Sequence, residues 1–409
     1  MLAEIKPSKI QGKIKAPQSK SFGIRLVLYS LIKESKLENL IPSDDVNVAI
    51  NVVKQFGVSV NGNHFKLEGK LKVPSYLYFG GSATTLRMTI PIISVLGGET
   101  VIDGDDSLRK RPLTAIIKAL QGSVNFSSQN LPTRISGKLK ENYVRIDGSE
   151  SSQYISGFIY AFSMIGGGEI EIIPPISSKS YIYLTSELIN SLGGNVKIKG
   201  NRIYIEKGDF KPYIGKVPGD YALASFYASS AIVSGGEIAI EDVYEIPHFE
   251  GDHSIVDFYV QMGAESYVKD KVWYVKGGKE LRGIKVNVDD FPDLAPSIAS
   301  LAPFTNSPTI IEGVRRLKTK ESNRILTISD ALSRFGVSVY SDDEKIIIEP
   351  VKEIRNASIV CPNDHRIAMM ATVLAFKVGG KIDKAECVNK SNPNFWKDLI
   401  SLGGKIILT

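Results

Sequence analysis

At 409 residues the chain exceeds what one ordinary hydrophobic core organises, so two domains are expected. Its composition, 43% hydrophobic and 23% charged, is that of a globular protein and excludes a disordered or fibrous chain. The formal net charge of +6 favours anionic partners, but there are none of the dense basic runs of a nucleic-acid binder. No apolar stretch reaches the ~18 residues of a membrane span, and the start MLAEIKPSKI has no apolar signal core. Cys361 and Cys387 provide neither a disulfide framework nor a zinc spacing, so a reducing, cytoplasmic location is expected.

Six segments of one type follow along the chain. Each opens on a polar residue and continues as an apolar stretch long enough for a helix; most then show a glycine pair and a short strand. They begin at Ser21 (SFGIRLVLYSLI), Ser82, Ser151 (SSQYISGFIYAFSMIGGGEIEI), Asp220, Asp293 and Asp364, at spacings of 61, 69, 69, 73 and 71 residues. A second series interleaves, with helical patterns closing on a glycine and a strand: QFGVSV at 55, LQGSVNF at 120, SLGGNVKI at 191, QMGAESYV at 261, RFGVSVY at 334 and SLGGKIIL at 401. Glycine just past a helical run accepts the left-handed conformation that stops a helix.

A period near 70 residues is too long for common solenoids and marks six larger strand–helix units. They divide as three plus three, with the Pro-Gly of KVPGD (216–220) midway. The first helix series is apolar almost all round and the second has a polar face. The first therefore belongs inside, with short sheets outside it.

Charged residues collect where helices begin: Lys20, Arg25, Arg87, Arg111, Lys320, Arg324, His365 and Arg366. Free N–H groups and the helix dipole favour anions there, at ~0.3–1 kcal/mol per terminus. Capping alone accounts for the Ser and Asp residues but not for the recurring cations.

The blocks APQSKSFGIR, DSLRKRP, GSESSQY, SKSYI, KTKESNRI, PNDHRIAM and NKSNPNF resemble, in this order, the EPSP synthase family, 3-phosphoshikimate 1-carboxyvinyltransferases. The resemblance runs from about residue 5 to the C-terminus. It implies an α/β fold of two similar domains, each three βαβαββ repeats with buried helices and outer sheets (an inside-out α/β barrel), closing over an interdomain cleft. The implied boundaries are 14–217 for the N-terminal domain and 1–13 plus 218–409 for the C-terminal one. The first would bind mainly shikimate 3-phosphate, and the second phosphoenolpyruvate together with the acid/base residues.

The implied reaction transfers the enolpyruvyl group of phosphoenolpyruvate to the 5-hydroxyl of shikimate 3-phosphate by addition and elimination, releasing phosphate. By the same resemblance, Lys20, Arg111, Arg324, His365, Arg366 and Lys390 would hold phosphoenolpyruvate, with Ala83 lining its pocket. Ser21, Arg25, Ser151, Ser152, Gln153, Ser178, Tyr181, Asp293 and Lys320 would hold shikimate 3-phosphate. Asp293 would be the general base, and Glu321 the acid–base group at the methylene carbon, with Lys20 beside them in catalysis. The expected enzyme is monomeric and cytoplasmic, needs no cofactor or metal, and binds neither nucleic acid nor membrane.

Several residues depart from the family pattern. Gln18 stands where glycine is usual, which would be costly if φ there were positive. Gly81 replaces an asparagine, and Arg316 also differs. Ala83 replaces a glycine, and its methyl should crowd glyphosate more than the natural donor, so weak inhibition by glyphosate is expected. Asn323 replaces an aspartate, which leaves the orientation of Arg324 unassigned.

VDDFPDLAP (288–296) could bind magnesium, but Pro292 interrupts the helix such a motif needs. PHFEGDH (247–253), with His248, Glu250, Asp252 and His253, reads as a solvated loop before a metal site. Two alternatives stay open at this point: a UDP-N-acetylglucosamine enolpyruvyl transferase, whose usual loop cysteine is missing here, and a non-catalytic anion- or RNA-binding repeat protein.

Overall fold

The repeating strand–helix–strand–helix–strand–strand order folds into the same sheet six times. The structure is a computed structural model that describes residues 1–244 and 251–409. One copy shows the rule. Tyr76–Tyr78 lies parallel to Gly98–Asp103, Thr133–Gly137 pairs antiparallel with the latter, and Val124–Phe126 forms the far edge. The crossover between the two parallel strands is the buried helix Ala83–Leu96. A parallel pair needs such a crossover, whereas the antiparallel pair closes with a short turn.

Three sheets are completed by strands remote in sequence. Leu2–Lys6 inserts between Gly380–Asp383 and Lys405–Leu408, supplying the strand that the last repeat lacks. Gly12–Lys15 lies parallel to Glu237–Glu241, and Tyr213–Gly215 parallel to Ser35–Leu37. These pairings decide the domains. One compact unit is Met1–Ser19 with Pro218–Thr409, and the other is Lys20–Val217. The expected start of the N-terminal domain at 14 is thus moved to Lys20. Residues 14 and 15 are committed to the strand beside Ile240 and Glu241, and the Ser19 N–H donates to the Pro218 carbonyl at 2.8 Å.

The two helix series separate as their patterns require. Every residue from Tyr221 to Val233 and from His365 to Phe376 is buried. Helix Arg324–Arg334 buries only Ile325, Ile328, Ala331 and Leu332 besides Arg324, a stripe at helical spacing. Each fully buried Leu, Ile or Phe contributes roughly 1.5–3 kcal/mol, so the all-round helices anchor each unit's core. Helix Ser152–Ile165 meets Ala83–Leu96 backbone to backbone at Gly157, where a Cβ would lie 2.7 Å from the Met88 carbonyl oxygen. Only glycine permits that crossing.

Gln18 does not need glycine's freedom, because its φ is not positive; it forms an isolated bridge with Gly219. The glycine requirement falls on Gly219 itself, where a Cβ would come within 2.4 Å of the Ala16 methyl.

Cys361 and Cys387 form a disulfide across 26 residues, which the expectation of a reducing location did not foresee. Strand Ala357–Val360 runs parallel to Gly380–Asp383, so the residues just past the two strand ends come together. The Cys361 N–H donates to the Asp383 carbonyl at 3.0 Å. Closing a loop of this length restricts the unfolded chain by about 3 kcal/mol. Cys361→Ser should lower the unfolding free energy by roughly that amount in oxidising buffer and by little after reduction, as read by urea denaturation.

Candidate active site

Two sets of functional side chains take shape, one in each unit. In the unit Lys20–Val217, Lys20 opens the helix Lys20–Tyr29, and its Nζ lies 3.0 Å from an Asp45 carboxylate oxygen. Asp45 sits in the first turn of the amphipathic helix Asp44–Gln55, and both partners of the pair are largely shielded. Arg25, one turn after Ser21, is buried among the helices. Its Nε donates to Thr185 Oγ1 at 2.8 Å, Nη1 to the Ser21 carbonyl at 2.9 Å and Nη2 to Ser156 Oγ at 3.3 Å. Its guanidinium also lies 5.8 Å from the centroid of the Tyr181 ring. Burial pulls its pKa down from the ordinary value, against the nearby Tyr160 and Tyr181.

The helix Ser152–Ile165 begins at Ser151, whose hydroxyl accepts the Gln153 N–H at 3.2 Å. Gln153 is fixed from both ends. Its Nε2 donates to Thr84 Oγ1 at 2.8 Å, and its Oε1 accepts from Arg87 Nη1 at 3.3 Å. Ser178 takes a left-handed φ of 49°, the kind of local strain that structures tolerate at functional positions. Ala83 is the first residue of its helix and is buried. Arg111 is 8% exposed, and its Nε and Nη2 are buried with no hydrogen-bond partner. A guanidinium so placed carries a large desolvation cost unless an anion meets it.

The other unit gathers a denser cluster. Asp293 lies in the 3-10 turn Pro292–Leu294 ahead of helix Ala295–Leu301, its side chain 24% exposed. Its Oδ1 accepts from Arg324 Nη1 at 2.7 Å and Lys320 Nζ at 3.3 Å, and its Oδ2 from Arg366 Nη2 at 3.2 Å. Burial alone would raise its pKa, but Arg366, Lys320 and Arg324 together outweigh burial and hold it well below the usual carboxylate range. With its oxygens turned to three cations, Asp293 is not placed as a magnesium ligand.

Arg324 is 1% exposed and meets three carboxylates. Besides Asp293 these are Glu321, at 2.8 Å from Nη2, and Asp364, at 2.8 Å from Nε and 3.2 Å from Nη2. The orienting partner left open by Asn323 is therefore Asp364. Arg366 reaches Asp293 and also the Ala222 carbonyl, at 3.4 Å, while its Nε is buried with no hydrogen-bond partner. His365, wholly buried, opens the helix His365–Val378, and Lys390 ends the 3-10 helix Ala385–Lys390.

Burial lowers the Lys320 pKa to about 8, with Asp293 opposing the shift and Arg324 and Arg316 adding to it. The charged form is thus lost as pH rises through about 8. If Lys320 receives an anion, kcat/KM for that substrate should fall above pH 8, since this ratio reports the free enzyme. Lys320→Arg should remove the alkaline limb of the pH profile, because arginine stays charged there.

Sequence reasoning missed Asp45, Thr84, Ser156, Thr185 and Asp364 as parts of these sets. Asp364 had appeared only as a helix start and in the block PNDHRIAM, and Asp45 not at all. Their roles depend on cations that arrive from elsewhere in each fold. His248 and Glu250 lie outside the described residues. Asp252, expected on a solvated loop, is instead buried in the 3-10 helix Gly251–Ser254, within electrostatic reach of Arg366. Among the described residues no group of three or more His, Cys, Asp or Glu side chains could hold a metal ion, and no helix is long and apolar enough to cross a membrane.

Comparison with known proteins identifies the family. The profile of EPSP synthase (3-phosphoshikimate 1-carboxyvinyltransferase) matches residues 5–399. The chain is 77% identical over 408 residues to the 3-phosphoshikimate 1-carboxyvinyltransferase of Sulfurisphaera tokodaii, covering all of both chains. It is 49% identical to that of Saccharolobus islandicus, with 99% of each covered, and 40% identical to that of Caldivirga maquilingensis over the full length of both. The EPSP synthase structure from Acinetobacter baumannii shares the fold, with a TM-score of 0.79, 24% identity and full coverage of both chains. With the family profile spanning residues 5–399 and full-length relatives at these identities, the chain belongs to the EPSP synthase family of 3-phosphoshikimate 1-carboxyvinyltransferases.

Proposed function

We propose that the two residue sets carry out the family's reaction in the roles the sequence suggests, except that Arg25, expected as a shikimate 3-phosphate contact, acts indirectly. That reaction, transfer of the enolpyruvyl group of phosphoenolpyruvate to shikimate 3-phosphate in the shikimate pathway, is this chain's activity by family membership. The observation that carries the assignment is the pair of buried guanidinium groups with unused donors: Nε and Nη2 of Arg111 and Nε of Arg366. Such donors call for an anion. Phosphoenolpyruvate offers a carboxylate, which suits the planar fork of arginine, and a phosphate, which suits the point charges of Lys20 and Lys390.

Ser21, Ser151, Ser152, Gln153, Ser178 and Tyr181 supply hydroxyl and amide groups for shikimate 3-phosphate, with Lys320 as its cation. Arg25 has its Nε and both Nη nitrogens turned inward, so its contribution is to hold Ser21, Tyr181 and Thr185 in place. Asp293 accepts the proton of the 5-hydroxyl. Held below the usual range by its three cations, it is a weak base in the free enzyme. Anionic substrates that share Arg324, Arg366 and Lys320 raise its proton affinity when it is needed. Glu321, bonded to Arg324 Nη2, exchanges the proton at the methylene carbon, while the arginines and Lys20 stabilise charge in the tetrahedral intermediate.

The reading includes a monomeric cytoplasmic enzyme without cofactor. Its test is phosphate release from phosphoenolpyruvate with either acceptor. Release with shikimate 3-phosphate and none with UDP-N-acetylglucosamine is expected. The reverse pattern overturns the acceptor, and release with neither overturns the residue roles.

A further inference from the structure

Of the three carboxylates around Arg324, two carry a task in the reaction. Asp293 and Glu321 must release Arg324, at least in part, to exchange protons with substrate. The third cannot do so. Asp364 is 0% exposed and is enclosed by its own hydrogen bonds. Its Oδ2 accepts from Arg324 Nε at 2.8 Å and from Ser322 Oγ at 3.0 Å, while its Oδ1 accepts from Arg324 Nη2 at 3.2 Å and from the Arg366 N–H at 3.1 Å. The two bonds along the Nε–Nη2 edge form a fork that fixes the guanidinium plane, not only its position. The bond to the Arg366 N–H caps the helix His365–Val378 and so sets the backbone from which Arg366 leaves.

We propose that Asp364 is the positioning residue for the donor-binding arginines: one buried carboxylate orients Arg324 directly and Arg366 through the helix start. Asn323 supplies no carboxylate to Arg324. The side-chain oxygen of Asn323 is itself buried without a partner. With Asp364 as the permanent anchor, Arg324 keeps its plane when Asp293 and Glu321 turn to substrate, and its Nη1 edge is free to meet an anion. The proposal rests on the reading that Arg324 and Arg366 hold phosphoenolpyruvate.

The test is steady-state kinetics of Asp364→Asn, with thermal unfolding measured alongside. The amide keeps the size of the side chain and an oxygen to cap Arg366, but turns an NH2 group toward the donors of Arg324 or Ser322. The KM for phosphoenolpyruvate should rise at least tenfold, while that for shikimate 3-phosphate changes less than twofold. In an Arg324→Lys background the same change should add little, because its route is already removed. Equal rises in both KM values, or a full additional effect in that background, would overturn the proposal. Arg324→Lys alone must raise the KM for phosphoenolpyruvate. If it does not, the assignment of Arg324 fails, which is distinguishable from a failure of Asp364 to act through it. Should Asp364→Asn not fold, Ser322→Ala removes one of the four bonds to the carboxylate. A two- to fivefold rise confined to the phosphoenolpyruvate KM supports the proposal, and no change overturns it.

Discussion

Asp293→Asn should lower kcat by about 10²–10⁴-fold, the range that removal of a positioned general base produces, with a much smaller change in the KM for shikimate 3-phosphate. The asparagine keeps the shape of the side chain in the 3-10 turn Pro292–Leu294 and an oxygen for Arg324 or Arg366, so the turn itself survives. What it cannot do is take a proton. The proposed role fits a carboxylate anchored from both oxygens yet partly open, unlike the fully enclosed Asp364. Asp289→Asn, four residues earlier and outside this hydrogen-bond cluster, should leave turnover within about twofold and serves as the control. Retention of more than about a tenth of wild-type kcat in Asp293→Asn would remove the base assignment.

The second large effect is on stability. Arg324→Met should destabilise its unit by about 3–5 kcal/mol, the usual result of taking one partner from a buried ion network. Three carboxylates lose their common cation, and Asp364 is left with a buried charge and only Ser322 and the Arg366 N–H to stabilise it. The pH dependence identifies the cause. Asp293 has a folded pKa depressed below the ordinary 3.8, so its ionic contribution is fully present above that value and is lost as pH falls through the lower folded one. The variant forgoes part of that contribution. Its deficit relative to wild type should therefore be largest near neutral pH and should narrow below about pH 4, as followed by urea unfolding. A deficit independent of pH would point to lost packing rather than lost charge.

Much of this architecture was legible from local pattern. The six polar openings read at Ser21, Ser82, Ser151, Asp220, Asp293 and Asp364 all lie within two residues of a helix start, and Ser151, Asp220 and Asp364 accept the capping hydrogen bonds. Helix caps and all-round apolar helices are written in neighbouring residues, which is why they could be read. The recurrence of cations at helix starts likewise marked eight candidate residues without any knowledge of distances, while the remaining candidates came from the family resemblance.

Three things were decided only by tertiary structure. The strands Leu2–Lys6, Gly12–Lys15 and Tyr213–Gly215 find partners far along the chain, and nothing in a short run of alternating residues names its neighbour. The Cys361–Cys387 bond follows from two strand ends lying side by side, not from cysteine spacing. The state of the charged side chains depends on which charges converge on them. Asp293 and Asp364 are the same residue type at equivalent helix starts, yet one is a partly open carboxylate shared by three cations and the other is a sealed anchor. The sequence by itself determined the helices, the sixfold repeat and the recurrence of cations at helix starts. Which carboxylate is free to act and which is locked in place was decided by the fold, because burial and Coulomb forces depend on distances that only the folded chain creates.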